Sequence, residues 1–164
     1  MNKKIPVAAT LRRKTAKDLW LQPKTNMHTS TGEGAASLLQ QYPLRVLVVE
    51  DNRDLAKLFC DLLEVMGCAT EAVFNARAAL DSARRQAPDL IFCDLRLPGG
   101  MSGFDLATEM RNDQALSGIP MIAVSGYAEG AERERALQSG FSRVFEKPVK
   151  FAQMMEVLKE FRKA

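Results

Sequence analysis

Five residues able to do chemistry stand at the ends of apolar runs. Glu50 and Asp51 directly follow RVLVV, Asp94 closes DLIFCD, Ser125 closes IPMIAVS, and Lys147 follows RVFE. Three carboxylates gathered at one place repel by about 4 kcal/mol per pair at a separation near 4 Å and an effective dielectric near 20. Something positive must offset this. Lys147 supplies one charge, and a divalent cation taking hard oxygen ligands is the fuller solution. Mg²⁺ typically uses one or two carboxylates together with waters and a phosphoryl oxygen. The pair at 50 and 51 therefore reads as half of a Mg²⁺ site.

Such a site needs a scaffold that brings separate strand ends together. From residue 44 onward short apolar runs alternate with segments of helical period. Residues 52–66 place Leu55, Leu58, Phe59, Leu62, Leu63 and Met66 at helical spacing, and Gly67 follows as a stop. A strand is expected over 69–74, then a helix capped by Asn75 and running to about Arg85. Residues 89–94 are a third strand, and a helix opening near Gly103 carries Phe104, Leu106 and Met110. A fourth strand over 119–125, a helix over 131–139 ended by Gly140, a fifth strand over 143–146 and a last helix over 151–163 complete the pattern. Strands alternating with helices in this way predict an α/β fold, a doubly wound five-stranded parallel sheet with helices on both faces. Ligands of such sheets bind beyond the carboxyl ends of the strands, which is where all five residues fall.

Composition agrees with an ordinary globular domain plus an extension. The chain has 164 residues, 46% hydrophobic and 26% charged, against about 100 to 150 residues for a common domain. Its formal charge of +3 is uneven. Residues 1–43 carry seven Lys or Arg against two acids, and residues 44–164 carry sixteen against eighteen. The basic balance thus belongs to a leader expected to be flexible, with TNMHTSTGEG at 25–34 as linker and 11–21 as a short basic helix or a solvated tail. It is not a nucleic-acid footprint on the folded part. Cys60, Cys68 and Cys93 show neither zinc spacing nor a disulfide framework, and Cys93 is expected in the core. No apolar run approaches the roughly 20 residues of a membrane span, and the N-terminus lacks the apolar stretch of a secretory signal. A cytoplasmic protein is expected.

ED at 50 and 51, D at 94 followed by LRLPGG, SG at 125 and 126, and KP at 147 and 148 together resemble a response-regulator receiver domain over residues 44–164. The resemblance implies a flavodoxin-like fold with strand order 2-1-3-4-5. It implies that Asp94 accepts a phosphoryl group from a phosphohistidine on a histidine kinase or histidine phosphotransfer protein. Asp51, Asp94 and the backbone carbonyl of Arg96 would bind Mg²⁺, with Glu50 acting through a water. Lys147 and the Ser125 hydroxyl would hold the phosphoryl oxygens during in-line transfer. Gly126 leaves room for the incoming donor, and the Lys147–Pro148 bond is a candidate for the cis form.

Each residue also has a plainer role. Asp51 and Asn52 could cap the first helix, Asp94 could open a turn, Ser125 could cap the helix that follows, and Lys147 could be an exposed loop lysine. The run Glu132, Arg133, Glu134, Arg135 reads as a solvated helix face or partner surface. Three departures from the family pattern stand out: Glu-Asp where Asp-Asp is also common, a loop to Gly103 one residue longer than usual, and Val144 where many receivers carry an aromatic switch residue. Phe145, one place on, should point to the other face. Arg96 and Tyr127 occupy positions that tune hydrolysis of the acyl phosphate in the family.

The chain ends just after the last helix, so a stand-alone receiver with no direct nucleic-acid binding and no membrane contact is expected, acting through protein contacts and not as an enzyme. A phosphorylation-independent binding module is the alternative. An aspartyl-phosphate hydrolase would need a second acid where Arg96 stands.

Overall fold

The structure is a computed structural model that describes residues 43–127 and 129–162. The leader proposed over 1–43, with its helix at 11–21 and linker at 25–34, lies outside the described residues except for Pro43. The described residues run β1 (Leu44–Val49), α1 (Arg53–Val65), β2 (Cys68–Val73), α2 (Ala76–Arg85), β3 (Leu90–Asp94), α3 (Gly103–Asn112), β4 (Met121–Ser125), α4 (Gly130–Ser139), β5 (Arg143–Glu146) and α5 (Phe151–Arg162). The five strands form one parallel sheet in the order β2-β1-β3-β4-β5. This is the expected doubly wound α/β fold. The second strand lies one residue earlier than its apolar pattern suggested, because Cys68 pairs with Leu44 while Phe74 falls past the last partner, Val49.

Strand alternation sorts the core into two layers. Leu47, Val49, Ile91, Cys93 and Ala123 face α2, α3 and α4, where Leu80, Leu106, Met110 and Ala136 close over them. Val46, Val48, Leu90, Phe92, Ile122 and Val124 face α1 and α5, against Leu63, Met154, Val157 and Leu158. Burying each such aliphatic side chain stabilises the fold by about 1.5–3 kcal/mol. Val144 belongs to the first layer and Phe145 to the second, the split that period-two geometry requires.

Local chemistry starts and stops the helices where the turns need them. The Asn52 side chain accepts the N–H groups of Asp54 and Leu55, both at 3.1 Å, and Asn75 accepts that of Ala78 at 2.8 Å, satisfying donors that a helix start leaves open. Gly140 ends α4 with φ +113°, a left-handed conformation that costs glycine little. A Cβ there would also strike the Arg111 side chain at 2.5 Å. Arg111 uses that approach to donate to the carbonyl oxygens of Gly140, Ile119 and Ser117.

Candidate active site at the carboxyl edge of the sheet

β1 and β3 are adjacent and in register, with Val49 opposite Cys93, so the residues just past them meet. Carboxylate oxygens of Glu50, Asp51 and Asp94 lie within 4.8 Å of one another. Glu50 and Asp94 are buried while Asp51 is exposed. Lys147 reaches across from the end of β5, and its Nζ donates to Glu50 Oε2 at 2.6 Å and to Asp94 Oδ2 at 2.5 Å. Burial is the largest single influence and works against its charge, but the hydrogen bonds to Asp94 and Glu50 and the attraction of their charges together outweigh it and raise the Lys147 pKa above the ordinary lysine value. The Lys147–Pro148 bond is cis.

The remaining valences of the acids are partly filled by backbone. Glu50 Oε1 accepts the Asn52 N–H at 3.2 Å and Asp94 Oδ1 accepts the Arg96 N–H at 2.8 Å. Asp94 thus opens a turn and also faces the cluster, so the plainer reading and the functional one are both true of it. At Asn52 they separate, since Asn52 caps α1 and leaves Asp51 to the acidic group. Lys147 is no surface lysine, with a side chain only 26% exposed.

Three carboxylates against one ammonium leave these four side chains at a net −2. The donor set is three hard oxygens, buried on one side and open at Asp51, and it fits a small divalent cation. Asp51 and Asp94 would hold it, Glu50 would assist, and the Arg96 backbone is kept beside them by its bond to Asp94.

Gly103 explains how the loop after β3 returns so closely to the acids. Its N–H donates to the Leu95 carbonyl at 3.0 Å, and a Cβ would meet the Asp94 carbonyl oxygen at 2.3 Å. Only glycine fits. In α3 itself, Ser102 and Asp105 form a reciprocal capping box.

Ser125 ends β4 at the same edge and is almost fully buried, at 1% exposure. Its hydroxyl lies 2.7 Å from Glu132 Oε1. The other Glu132 oxygen pairs with Arg96 Nη2 at 3.1 Å. The Ser125 hydrogen bond, helped by Arg96 and opposed by the partial burial of the carboxyl, holds the Glu132 pKa below the usual glutamate range. Ser125 therefore does not cap α4. Glu132 is the site residue that sequence reasoning missed, because an alternating Glu-Arg run looks like any solvated face. The only available signal was its place in the first turn of the helix that follows Ser125.

The family model for the response regulator receiver domain matches residues 46–159. The chain belongs to this family, whose receivers serve two-component signalling. It is similar to the polar-differentiation response regulator DivK of Brucella anthropi, 38% identical over 119 residues that cover 73% of this chain and 96% of that one. Its counterpart in Brucella ovis is 37% identical over 116 residues, 71% of this chain and 94% of that protein. Among solved structures, the receiver domain of a Pseudomonas aeruginosa sensor histidine kinase, which has a magnesium ion coordinated in its active site cleft, superposes with a TM-score of 0.68 at 30% identity, covering 74% of this chain and 99% of that chain. A CheY-like receiver domain from Methylobacillus flagellatus gives 0.64 at 29% identity, covering 73% and 98%.

Proposed function

We propose that this receiver accepts a phosphoryl group on Asp94 from a phosphohistidine of a histidine kinase or histidine phosphotransfer protein, in a Mg²⁺-dependent reaction, and signals through altered protein contacts in the cytoplasm. The observation that carries this reading is the Lys147 ammonium bridging Glu50 and Asp94 inside a group of three carboxylates. An acid cluster buried at Glu50 and Asp94, open at Asp51 and short of positive charge is built to take up more.

A carboxylate oxygen of Asp94 forms the new bond to phosphorus while the phosphorus–nitrogen bond of the donor breaks and its electron pair leaves with the imidazole. When bound, the cation draws charge from the phosphoryl oxygens and makes phosphorus more electrophilic. Lys147 sits on the nucleophile and can move its hydrogen bond to a phosphoryl oxygen as charge develops there. Asp94 is consumed as acceptor, so the chain is a substrate and not a turnover enzyme. The exposed apolar residues Leu55, Leu58 and Leu62 of α1 line one cavity with Glu50, Asp94 and Lys147, which favours a protein as the donor.

Incubation with Mg²⁺ and a small phosphodonor should add one phosphoryl group by intact mass spectrometry. Asp94→Asn or chelation of the metal should abolish it. Absence of any addition from every donor would favour the alternative, a binding module indifferent to phosphate, for which Val144 in the place of a switch aromatic speaks.

A further inference from the structure

The Ser125 hydroxyl carries one proton and has two masters. Tyr127 donates its N–H to the Ser125 oxygen at 3.2 Å, which leaves the hydroxyl proton for an acceptor. Two stand in range, Glu132 Oε1 at 2.7 Å and the Tyr127 carbonyl at 3.1 Å. The shorter contact, to a charged oxygen, is the stronger. Glu132 is in turn held by Arg96, whose N–H is bonded to Asp94. A chain of contacts thus runs from the acceptor aspartate through Arg96 and Glu132 to Ser125.

Glu132 lies in the first turn of α4, and that turn has no side-chain cap of its own. Its neighbour Arg133 donates to the Val144 carbonyl at 3.0 Å, linking the same turn to β5. Val144 is buried and aliphatic, so an aromatic swing at that position is not available to report what happens at Asp94.

We propose that Glu132 is a positioning residue that keeps the Ser125 hydroxyl turned toward α4, and that a phosphoryl group on Asp94 takes this hydroxyl from it and releases the first turn of α4. The inference rests on the phosphoryl-acceptor reading. A single proton cannot serve Glu132 and a phosphoryl oxygen together, so occupancy at Asp94 and the Ser125–Glu132 bond compete. Glu132 thereby opposes phosphorylation and converts it into a loosened helix start.

The test uses the full chain with Mg²⁺ and beryllofluoride as a stable phosphoryl mimic, reading the half-saturating concentration by NMR and amide exchange over residues 129–139 by mass spectrometry. In the wild type, beryllofluoride should speed exchange in that segment several-fold. Glu132→Ala should exchange fast from the start, respond no further, and half-saturate at about three- to tenfold lower concentration, the worth of one hydrogen bond to a charged group shared with a weaker acceptor. Glu132→Gln, whose amide oxygen still accepts the hydroxyl, should fall between. In a Ser125→Ala background, Glu132→Ala should leave half-saturation within about twofold, because the contested hydroxyl is gone. An equal shift in both backgrounds, or none in either while the wild type saturates, would overturn the role of Glu132. Failure of the wild type itself to take up beryllofluoride would instead overturn the phosphoryl-acceptor reading, and this role with it.

Discussion

Helices α3 and α4 both leave the carboxyl edge of the sheet just after a site residue, Asp94 and Ser125 respectively, yet they are fastened in opposite ways. The start of α3 is satisfied by its own sequence. Ser102 Oγ and the Asp105 carboxylate exchange hydrogen bonds with the backbone, and Gly103 is lodged against Asp94 and Leu95. The start of α4 follows Glu129, which makes no side-chain cap, and its tie to the sheet runs through Glu132 to Ser125 and through Arg133 to Val144. One helix start is fastened by its own residues and by backbone; the other is fastened through a side chain that also bonds the site residue Ser125. Under the proposed function the first would set Asp94 and the second would report on it.

The start of α3 should break hardest at Gly103. Adding a methyl by Gly103→Ala drives a Cβ into the Asp94 carbonyl, which is backbone and cannot rotate away. The strain should cost about 1–3 kcal/mol in urea unfolding and slow phosphoryl uptake by displacing Asp94. Unchanged stability together with unchanged uptake would mean that α3 is not the fixed element.

The difference between the two helices marks what was readable in the residues. Periodicity placed every strand and helix to within about two residues, and the rule that ligands sit past strand ends brought Glu50, Asp51, Asp94 and Lys147 together, because a strand's direction fixes where its end lies. Asn75 was legible as a cap for the same local reason. Glu132 was not, since a helix side chain's reach toward a distant strand depends on how the helix is placed, which no local pattern encodes. The leucines of α1 teach a related lesson. Leu55, Leu58 and Leu62 share the helical period of Leu63, but they are 45%, 56% and 37% exposed while Leu63 is fully buried. An apolar stripe says that a helix has a face, not how much of that face the domain covers.

A smaller effect should come from the capping box. Ser102→Ala should cost about 1 kcal/mol, and the loss should depend on pH in a stated direction. Hydrogen bonds from Ser102 hold the Asp105 carboxyl below its ordinary pKa. Because the folded value lies below the unfolded one, this contribution is complete above about pH 4 and fades as pH falls through the lowered value. The gap between wild type and Asp105→Asn in chemical denaturation should therefore narrow on acidification and stay constant from neutrality down to about pH 5. A gap that widened in acid would assign the box no such role.

The smallest change is the most informative about α4. Glu129→Ser would supply the missing cap, for serine's oxygen can accept an N–H two or three residues on, and a good cap is worth about 0.5–1 kcal/mol over a poor one. If the uncapped start is what lets α4 answer to the site, the substitution should raise stability slightly while shrinking the exchange response of residues 129–139 to beryllofluoride. The acidic cluster is untouched, so half-saturation should move only by the part of that response lost. Stabilisation without any damping of the response would show that α4 reports through its far end or through β5, and the contrast with α3 would then lie in Gly103 alone.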